Sequence, residues 1–336
     1  MKILVIRFSS IGDVVLTTSV VRCLKKQTNA EIHFITKKGF KSILKDNPYI
    51  DKLITIKSSI QEVETDLKKE QYDWVIDLHK NIRTLSLKQK LKVPSRSFPK
   101  LNKEKWLLVK FKINKMPKVH IVDRYFETVK HLGVLNDNFP NDFFIAQESE
   151  VNILSTFGIK EKFVAIAIGA QFATKRLPFE KLVEVIEQLN QPIVLVGGPT
   201  DKSLANDLLQ HFKTKNIHNA CGSWSLQQSA SIVKQAAVLM TNDTGLMHIA
   251  ACFKTPIVSV WGNTVPELGM YPYLPNHSEL FSVHQVENLS CRPCSKIGYK
   301  KCPKGHFKCM TEQNTHAISN DVNLKIQQSL ESKTAY

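Results

Sequence analysis

The stretch Val238-Leu239-Met240-Thr241-Asn242-Asp243-Thr244-Gly245-Leu246-Met247-His248-Ile249-Ala250-Ala251 changes character in its middle. Residues 238–241 are a short apolar run, read as a strand buried on both faces. From Gly245 onward the residues are small and apolar, read as a helix. Between them Asn242, Asp243 and Thr244 crowd polar groups onto a strand end. A fully buried strand running directly into a helix is a unit of parallel sheet. Ligands of such sheets bind at the carboxyl ends of the strands. Thr244 and His248 are four apart and share one helix face near its start. Gly245 permits close approach of a ligand to the backbone. The bland alternative has Asp243 or Thr244 as a helix cap and His248 as a half-buried core residue.

The same alternation runs outward in both directions. Residues 163–168, 193–196 and 257–261 are further strands of the second half, and Gly197-Gly198-Pro199 is a turn. Pro178 is read as the first residue of a helix with the apolar face Phe179, Leu182, Val183, Ile186 and Leu189. In the first half, strands are expected at 3–8, 30–36, 52–56 and 74–78. Leu16, Val20, Cys23 and Leu24 mark the helix after the first of these. The fold class is therefore α/β, with two doubly wound parallel-sheet domains, 1–155 and 156–336. The last helix is expected to pack back on the first domain. At 336 residues and 43% hydrophobic content the chain can bury two cores. The natural site of such a pair is the cleft between the domains.

Two membrane signals are missing. No run approaches the ~18 apolar residues of a transmembrane helix. The opening run Met1 to Phe8 is interrupted at Arg7, too early for a signal-peptide core, and reads as a first strand.

Charge is the unusual feature: 46 Lys+Arg against 30 Asp+Glu, a net +16. That excludes an acidic solvating chain and points to an anionic partner. The excess is local. Residues 83–118 hold twelve Lys+Arg, including Arg83, Lys88, Lys90 and Lys92, against the single acid Glu104, a net of +11. Trp106, Leu107, Leu108, Val109 and Phe111 are interleaved with them. This is either a solvated basic face or a partly apolar patch for an anionic membrane surface. Nucleic acid is not expected as the partner, since RNP-type aromatics and a helix-turn-helix pattern are missing.

Three loops carry candidate chemistry. Ser9-Ser10-Ile11-Gly12-Asp13 follows the first strand. Asp13 is either an N-cap or a carboxylate able to accept a proton from a substrate hydroxyl. No G-x-G-x-x-G fingerprint is present. Gly169-Ala170-Gln171-Phe172-Ala173-Thr174-Lys175-Arg176 fills the equivalent place in the second domain. Its two cations and the helix start behind them suit a phosphate, or are solvated surface charges. Trp261-Gly262-Asn263-Thr264 would line the same cleft.

Seven cysteines cannot all pair within one chain. Cys23, Cys221 and Cys252 stand alone in apolar contexts and are read as buried thiols of a reducing compartment. Cys291, Cys294, Cys302 and Cys309 cluster, with His306 among them. A structural zinc, disulfides and free thiols all remain open for this set. Arg292, Lys296, Lys300, Lys301, Lys304 and Lys308 make the segment a second basic patch.

The run from Lys2 to Asp13 resembles the start of glycosyltransferase family 9, the lipopolysaccharide heptosyltransferases. Lys175-Arg176-Leu177-Pro178 is similar to that family's Lys-x-Trp-Pro element, with Leu177 at the aromatic position. Residues 243–251 are similar to its donor-site motif, and Trp261-Gly262-Asn263-Thr264 to the strand end that follows. The resemblance spans residues 1 to about 310 in family order. It implies a GT-B fold, two Rossmann-like domains facing across a cleft. It implies an inverting transferase that uses an ADP-sugar as co-substrate and requires no cofactor for catalysis. Asp13 would be the base. Lys175 would bind the diphosphate, with Gln171, Thr174, Asp243, Thr244, Gly245 and His248 around the donor. Ser9, Ser10, Gly12 and Arg83 would lie on the acceptor side. The acceptor would be an anionic lipid-linked glycan, the lipid A core, met by a cytoplasmic protein peripheral to the inner membrane face. Another nucleotide sugar, for O-antigen or capsule, is the alternative. Cysteine-rich stretches in some family members imply a structural role for the C-terminal cluster.

Overall fold

Every strand pairing in the structure is parallel. The computed structural model describes residues 1–334; residues 335 and 336, the end of the expected second domain, lie outside the described residues. The first sheet holds β1 (Lys2–Ile6), β2 (Glu31–Lys37), β3 (Lys52–Ile56), β4 (Trp74–Asp77) and β5 (Ser95–Ser97), in the order β3-β2-β1-β4-β5. The second holds β6 (Val164–Ala167), β7 (Ile193–Val196), β8 (Ile217–Asn219), β9 (Val238–Asn242), β10 (Ile257–Trp261) and β11 (Phe281–Gln285), in the order β11-β10-β9-β6-β7-β8. Both sheets reverse their winding once, between β1 and β4 and between β6 and β9. These are the topological switch points at which doubly wound sheets bind ligands.

Two compact units result. One is Met1–Leu101 with Lys118–Phe144; the other is Asn102–Pro117 with everything from Ile145 onward. The sequence reading placed 102–117 in the first domain and the boundary near 155. The segment joins the second unit because Leu108 is buried with Val265 and Leu268, and Met116 packs beside them. Lys112 adds a polar tie, its Nζ donating to the Cys291 and Pro293 carbonyls at 3.2 and 2.6 Å.

Each sheet is covered by aliphatic side chains. Leu4, Ile6, Phe8, Ile35 and Val75 form a core of the first unit. Separate cores pack on the two faces of the second sheet. In helix Phe179–Glu187, Leu182, Val185 and Ile186 are buried, and Phe179 and Val183 pack beside the core. Burying each such side chain contributes roughly 2 kcal/mol. Pro178 is its N-cap, with extended backbone, and not its first helical residue. The final helix, Thr315–Thr334, was expected on the first domain. Its Ile318, Val322 and Ile326 lie in a core of the second unit, and Thr315 Oγ1 donates to Glu184 at 2.7 Å. The helix after β1 is broken into Ile11–Val15 and Thr18–Thr28. Thr17 and Thr18 bond back to the carbonyls of Val14 and Val15 at 2.6 and 2.8 Å, competing with the helix ladder there. No helix among the described residues is long and apolar enough to cross a membrane.

The expected basic face is partly internal. Asp77, at the end of β4, is fully buried. Its oxygens accept from the backbone N–H groups of His79 and Lys80, from Ser97 Oγ at 3.1 Å and from Lys88 Nζ at 3.0 Å. Lys90 pairs with Glu64 at 2.5 Å. Two lysines assigned from sequence to the partner surface therefore hold the first unit together. Replacing Lys88 by Met should cost about 2 kcal/mol of unfolding free energy, because it strands a buried carboxylate. Urea denaturation measures this; a loss below about 0.5 kcal/mol would mean that the backbone N–H groups and Ser97 satisfy Asp77 alone.

Candidate active site

The switch point of the second sheet is fixed by one amide. Asn242, the last residue of β9, is buried. Its Nδ2 faces the carbonyls of Ala167, Ile168 and Gly169 at 3.3–3.4 Å, and its Oδ1 accepts from Leu177 N–H at 3.2 Å. It thereby ties the loop after β6 to the end of β9. Lys175 is carried by that loop. Its ammonium pairs closely with Asp243 Oδ2, which also accepts from Thr264 Oγ1 at 2.8 Å. Both partners are largely enclosed, with side chains 15% and 10% exposed. Such a pair holds its geometry better than a surface ion pair. The cation is thus held by the carboxylate just past β9, which a hydroxyl from beyond β10 fixes in turn.

Helix Gly245–Cys252 starts beside this pair. Thr244 takes the N-cap position, but its hydroxyl lies 3.3 Å from Thr241 Oγ1 and caps no helix N–H. Asp243 is occupied by Lys175. The first-turn N–H groups and the positive end of the helix dipole therefore face an anion-binding position. His248 is buried in the first turns of this helix.

The loop from Gly169 to Arg176 has less freedom than its composition suggested. Arg176 Nε donates to Ala170 O at 2.7 Å, and its Nη2 lies 3.7 Å from Asp201. A Cβ at Gly169 would fall 2.0 Å from Asp201 Oδ2, so any other residue would displace the Asp201 carboxylate. Thr174 is buried and exchanges hydrogen bonds with Tyr299, its Oγ1 accepting from Tyr299 N–H at 2.8 Å. Its hydroxyl is committed to this structural link. Gln171 is exposed.

Tyr299 belongs to the cysteine-rich segment, which is anchored by Arg292. That guanidinium donates to the carbonyls of Gly262, Thr264 and Val286 and to Gln285 Oε1, at 2.6–3.0 Å. No carboxylate among the described residues pairs with it, and burial lowers its pKa. Arg292 is thus a structural staple and not part of a solvated basic patch. No disulfide joins any of the seven cysteines; Cys23 and Cys221 are buried and Cys252 is half-buried. Burial and then the neighbouring thiols push Cys309 up to about 12, and Cys294 rises for the same two reasons. Cys291 Sγ lies 3.8 Å from His306 Nε2. The donor set is right for a soft divalent metal. However, the group of three ligand atoms within 4.8 Å of one another is elsewhere among the described residues: Glu31, His33 and Glu70. Those carboxylates are already engaged by Lys2 and Lys52, and Lys52 foremost pulls Glu70 down to about 2.

In the first unit the switch point carries Asp13. Ser10, with extended backbone, is the N-cap of helix Ile11–Val15, and Asp13 is its third residue. The carboxylate accepts from Ser10 N–H and Oγ at 3.2 and 2.7 Å and pairs with Arg7 at 2.5 Å. Arg7 is buried, and its other donors reach Ser9 O, Leu78 O and Tyr125 Oη. Burial works against its charge and the Asp13 carboxylate outweighs it, so its pKa is raised. His79, just past β4, packs tilted against Phe8 with ring centroids 5.2 Å apart. Burial, then the charges of Arg7 and Lys100, push it down to about 4, so it is neutral beside Asp13. Gly12 is buried, Ser9 half-buried, and Arg83 exposed on helix Ile82–Leu91. Sequence reading treated Arg7 only as the end of an apolar run. Its signal was a charge placed at the end of a fully buried strand.

The family model described as glycosyltransferase family 9 (heptosyltransferase) matches residues 60–300. Lipopolysaccharide heptosyltransferase 3 of Escherichia coli (strain K12) is 25% identical over 279 residues, covering 75% of this chain and 80% of that one. Lipopolysaccharide heptosyltransferase 2 of Salmonella typhimurium is 24% identical, covering 80% and 84%. Among solved structures, a family 9 glycosyl transferase from Veillonella parvula superposes with a TM-score of 0.76 at 23% identity, covering 97% of each chain. An E. coli heptosyltransferase with ADP gives 0.68 at 19% identity, over 97% of this chain and 100% of that one. With two parallel-sheet α/β domains of the GT-B type, this chain belongs to glycosyltransferase family 9 and is a glycosyltransferase.

Proposed function

We propose that the chain transfers heptose from ADP-heptose to the inner core of lipopolysaccharide, by a single inverting displacement. The observation that carries this reading is Lys175, held by Asp243 and Thr264 beside the open N-terminus of helix Gly245–Cys252. An enclosed, oriented ammonium next to unpaired backbone N–H groups suits a diphosphate whose charge grows as it leaves. The names of the relatives and the ADP in a solved neighbour supply the nucleotide and the sugar.

The transfer draws on both units. The acceptor hydroxyl attacks the anomeric carbon while the bond to ADP breaks on the opposite face. Asp13 takes the hydroxyl proton. Arg7 and Ser10 hold its carboxylate in one orientation. Neutral His79 adds no competing cation. On the donor side Lys175 and the helix N–H groups take up the charge on ADP, and His248 and Gly245 line that end. Asp243 acts on Lys175, so its part in this reading is to orient the cation. The ADP-sugar is the one co-substrate invoked. The acceptor is an anionic lipid-linked glycan, and the protein works at the inner face of the cytoplasmic membrane as a peripheral enzyme. The thiols Cys291, Cys294, Cys302 and Cys309 lie near enough to raise one another, but no three of their sulfur atoms come together as a metal-binding group among the described residues, so no zinc enters this reading.

Asp13→Asn keeps the size of the side chain and its contacts with Ser10. It should lower kcat by about 10²–10⁴-fold while leaving ADP affinity unchanged. Mass spectrometry of products from defined ADP- and other nucleotide sugars on lipid A core acceptors reads the outcome; normal turnover by the variant removes Asp13 as the base, and transfer from a different nucleotide sugar moves the reading to another glycan. Lys175→Ala should weaken ADP binding by about tenfold or more in calorimetry, equivalent to at least ~1.4 kcal/mol; unchanged affinity would detach Lys175 from the diphosphate.

A further inference from the structure

We propose that helix Asn102–Phe111 and the chain following it to Lys115 dock the second unit on an anionic lipid bilayer, with Trp106, Phe111 and Ile113 entering the interface. These three side chains are 56%, 52% and 48% exposed, within eight residues of sequence. The Trp106 and Phe111 rings meet edge-on at 4.9 Å, so each covers part of the other and both face solvent. Soluble surfaces scatter single large apolar side chains; a cluster of aromatics marks an interaction site. The opposite side of the helix is anchored. Leu108 is buried against Val265 and Leu268, and Lys112 Nζ donates to the carbonyls of Val109, Cys291 and Pro293. The apolar group is therefore presented outward from a fixed support.

Charge selects the occupant. Lys103, Lys110 and Lys115 are exposed around the aromatics, and Glu104 is the only acid between residues 102 and 118. Tryptophan at the head-group level with lysines reaching to phosphates is the chemistry of an interfacial helix. A soluble anionic glycan would use the lysines but give no reason to bury Phe111 and Ile113. A second copy of the chain would bring the same positive segment against itself. The segment is thus suited to an anionic lipid surface. The inference deepens the membrane-borne acceptor proposed above and rests on it for its purpose. Lipid binding itself needs neither sugar nor nucleotide, so the two readings fail separately.

The test uses the full chain with phosphatidylcholine vesicles, with and without phosphatidylglycerol, and no sugar substrate. Co-sedimentation should favour the anionic vesicles by about fivefold or more, and the preference should shrink as salt rises. Trp106 emission should shift to the blue on binding, and Trp106→Phe should abolish that shift while Trp74, Trp224 and Trp261 remain. The pair Trp106→Ser with Phe111→Ser should lower partitioning by about tenfold and spare ADP affinity. Both side chains are more than half exposed, and unchanged ADP affinity verifies that the variant is folded. Equal partitioning of the double variant, equal binding to neutral vesicles, or no change in Trp106 emission would each overturn the proposal. So would self-association that the double variant abolishes in a protein that ignores vesicles, which would make a second copy the occupant.

Discussion

The side chain of Asn242 occupies the place where the second sheet reverses its winding. At such a point two neighbouring parallel strands, β6 and β9, send their connections to opposite faces, and their terminal carbonyls are left without the ladder partners that inner residues have. A buried carbonyl without a partner costs about 1–3 kcal/mol. Asn242 faces three of them with one amide and takes the Leu177 N–H with its oxygen. The loop carrying Lys175 is bound at both of its ends by that residue. The neighbouring residue, Asp243, is then placed to take the Lys175 ammonium, and Thr264 comes from the next strand end to complete the pair. The donor site proposed here thus rests on polar groups that satisfy one another before any ligand arrives.

The first unit solves the same problem with an ion pair. Arg7 leaves the end of β1 and spends its donors on Ser9 and Leu78 carbonyls, on Tyr125 and on Asp13. A buried guanidinium is tolerable only with such a full set of acceptors. The consequence is directional: Asp13 is fixed by a partner that is itself immobile. Asn242 and Arg7 are the same device in two chemistries, a buried polar side chain at a switch point that orients the next functional residue.

Much of this was legible in the residues. The strands that became β1, β4, β6, β7, β9 and β10 are continuous apolar runs, and a parallel sheet buried on both faces leaves that mark. Asp13 and the segment Asn242–His248 stood out because polar residues crowd the ends of those runs. Three strands were missed, β5, β8 and β11. Ser-Arg-Ser and Ile-His-Asn carry no apolar run, and all three lie at or near sheet edges, where pairing with a neighbour, not burial, makes the strand. The roles of Arg7, Arg292 and Lys88 were equally hidden. Each looks like a surface cation, and what distinguishes it is a set of acceptors brought to it by the fold, as near as 9 residues away for Lys88 and as far as 118 for Arg7. The excursion of 102–117 into the second unit hung on Leu108 and Met116 among its apolar residues, and no periodicity could reveal their partners.

The net charge of +16 therefore divides into populations with different physical work. Arg7, Arg22, Lys88 and Arg292 neutralise or bridge groups inside the fold; Arg22, for instance, holds Asp137 and Asp142 at 2.5–2.9 Å. Lys175 is reserved for a single enclosed site. What remains for long-range attraction is the exposed set, and along 102–115 it is mixed with aromatics that water solvates poorly. Screening limits the reach of those charges to about 10 Å at ordinary ionic strength. They can act on a surface that the protein already touches, but cannot steer it from afar. For the membrane-borne acceptor proposed above, such short-range adhesion would suffice. A chain resting on the bilayer would search for acceptor in two dimensions, and the nucleotide sugar would be the substrate left to diffuse in from the bulk.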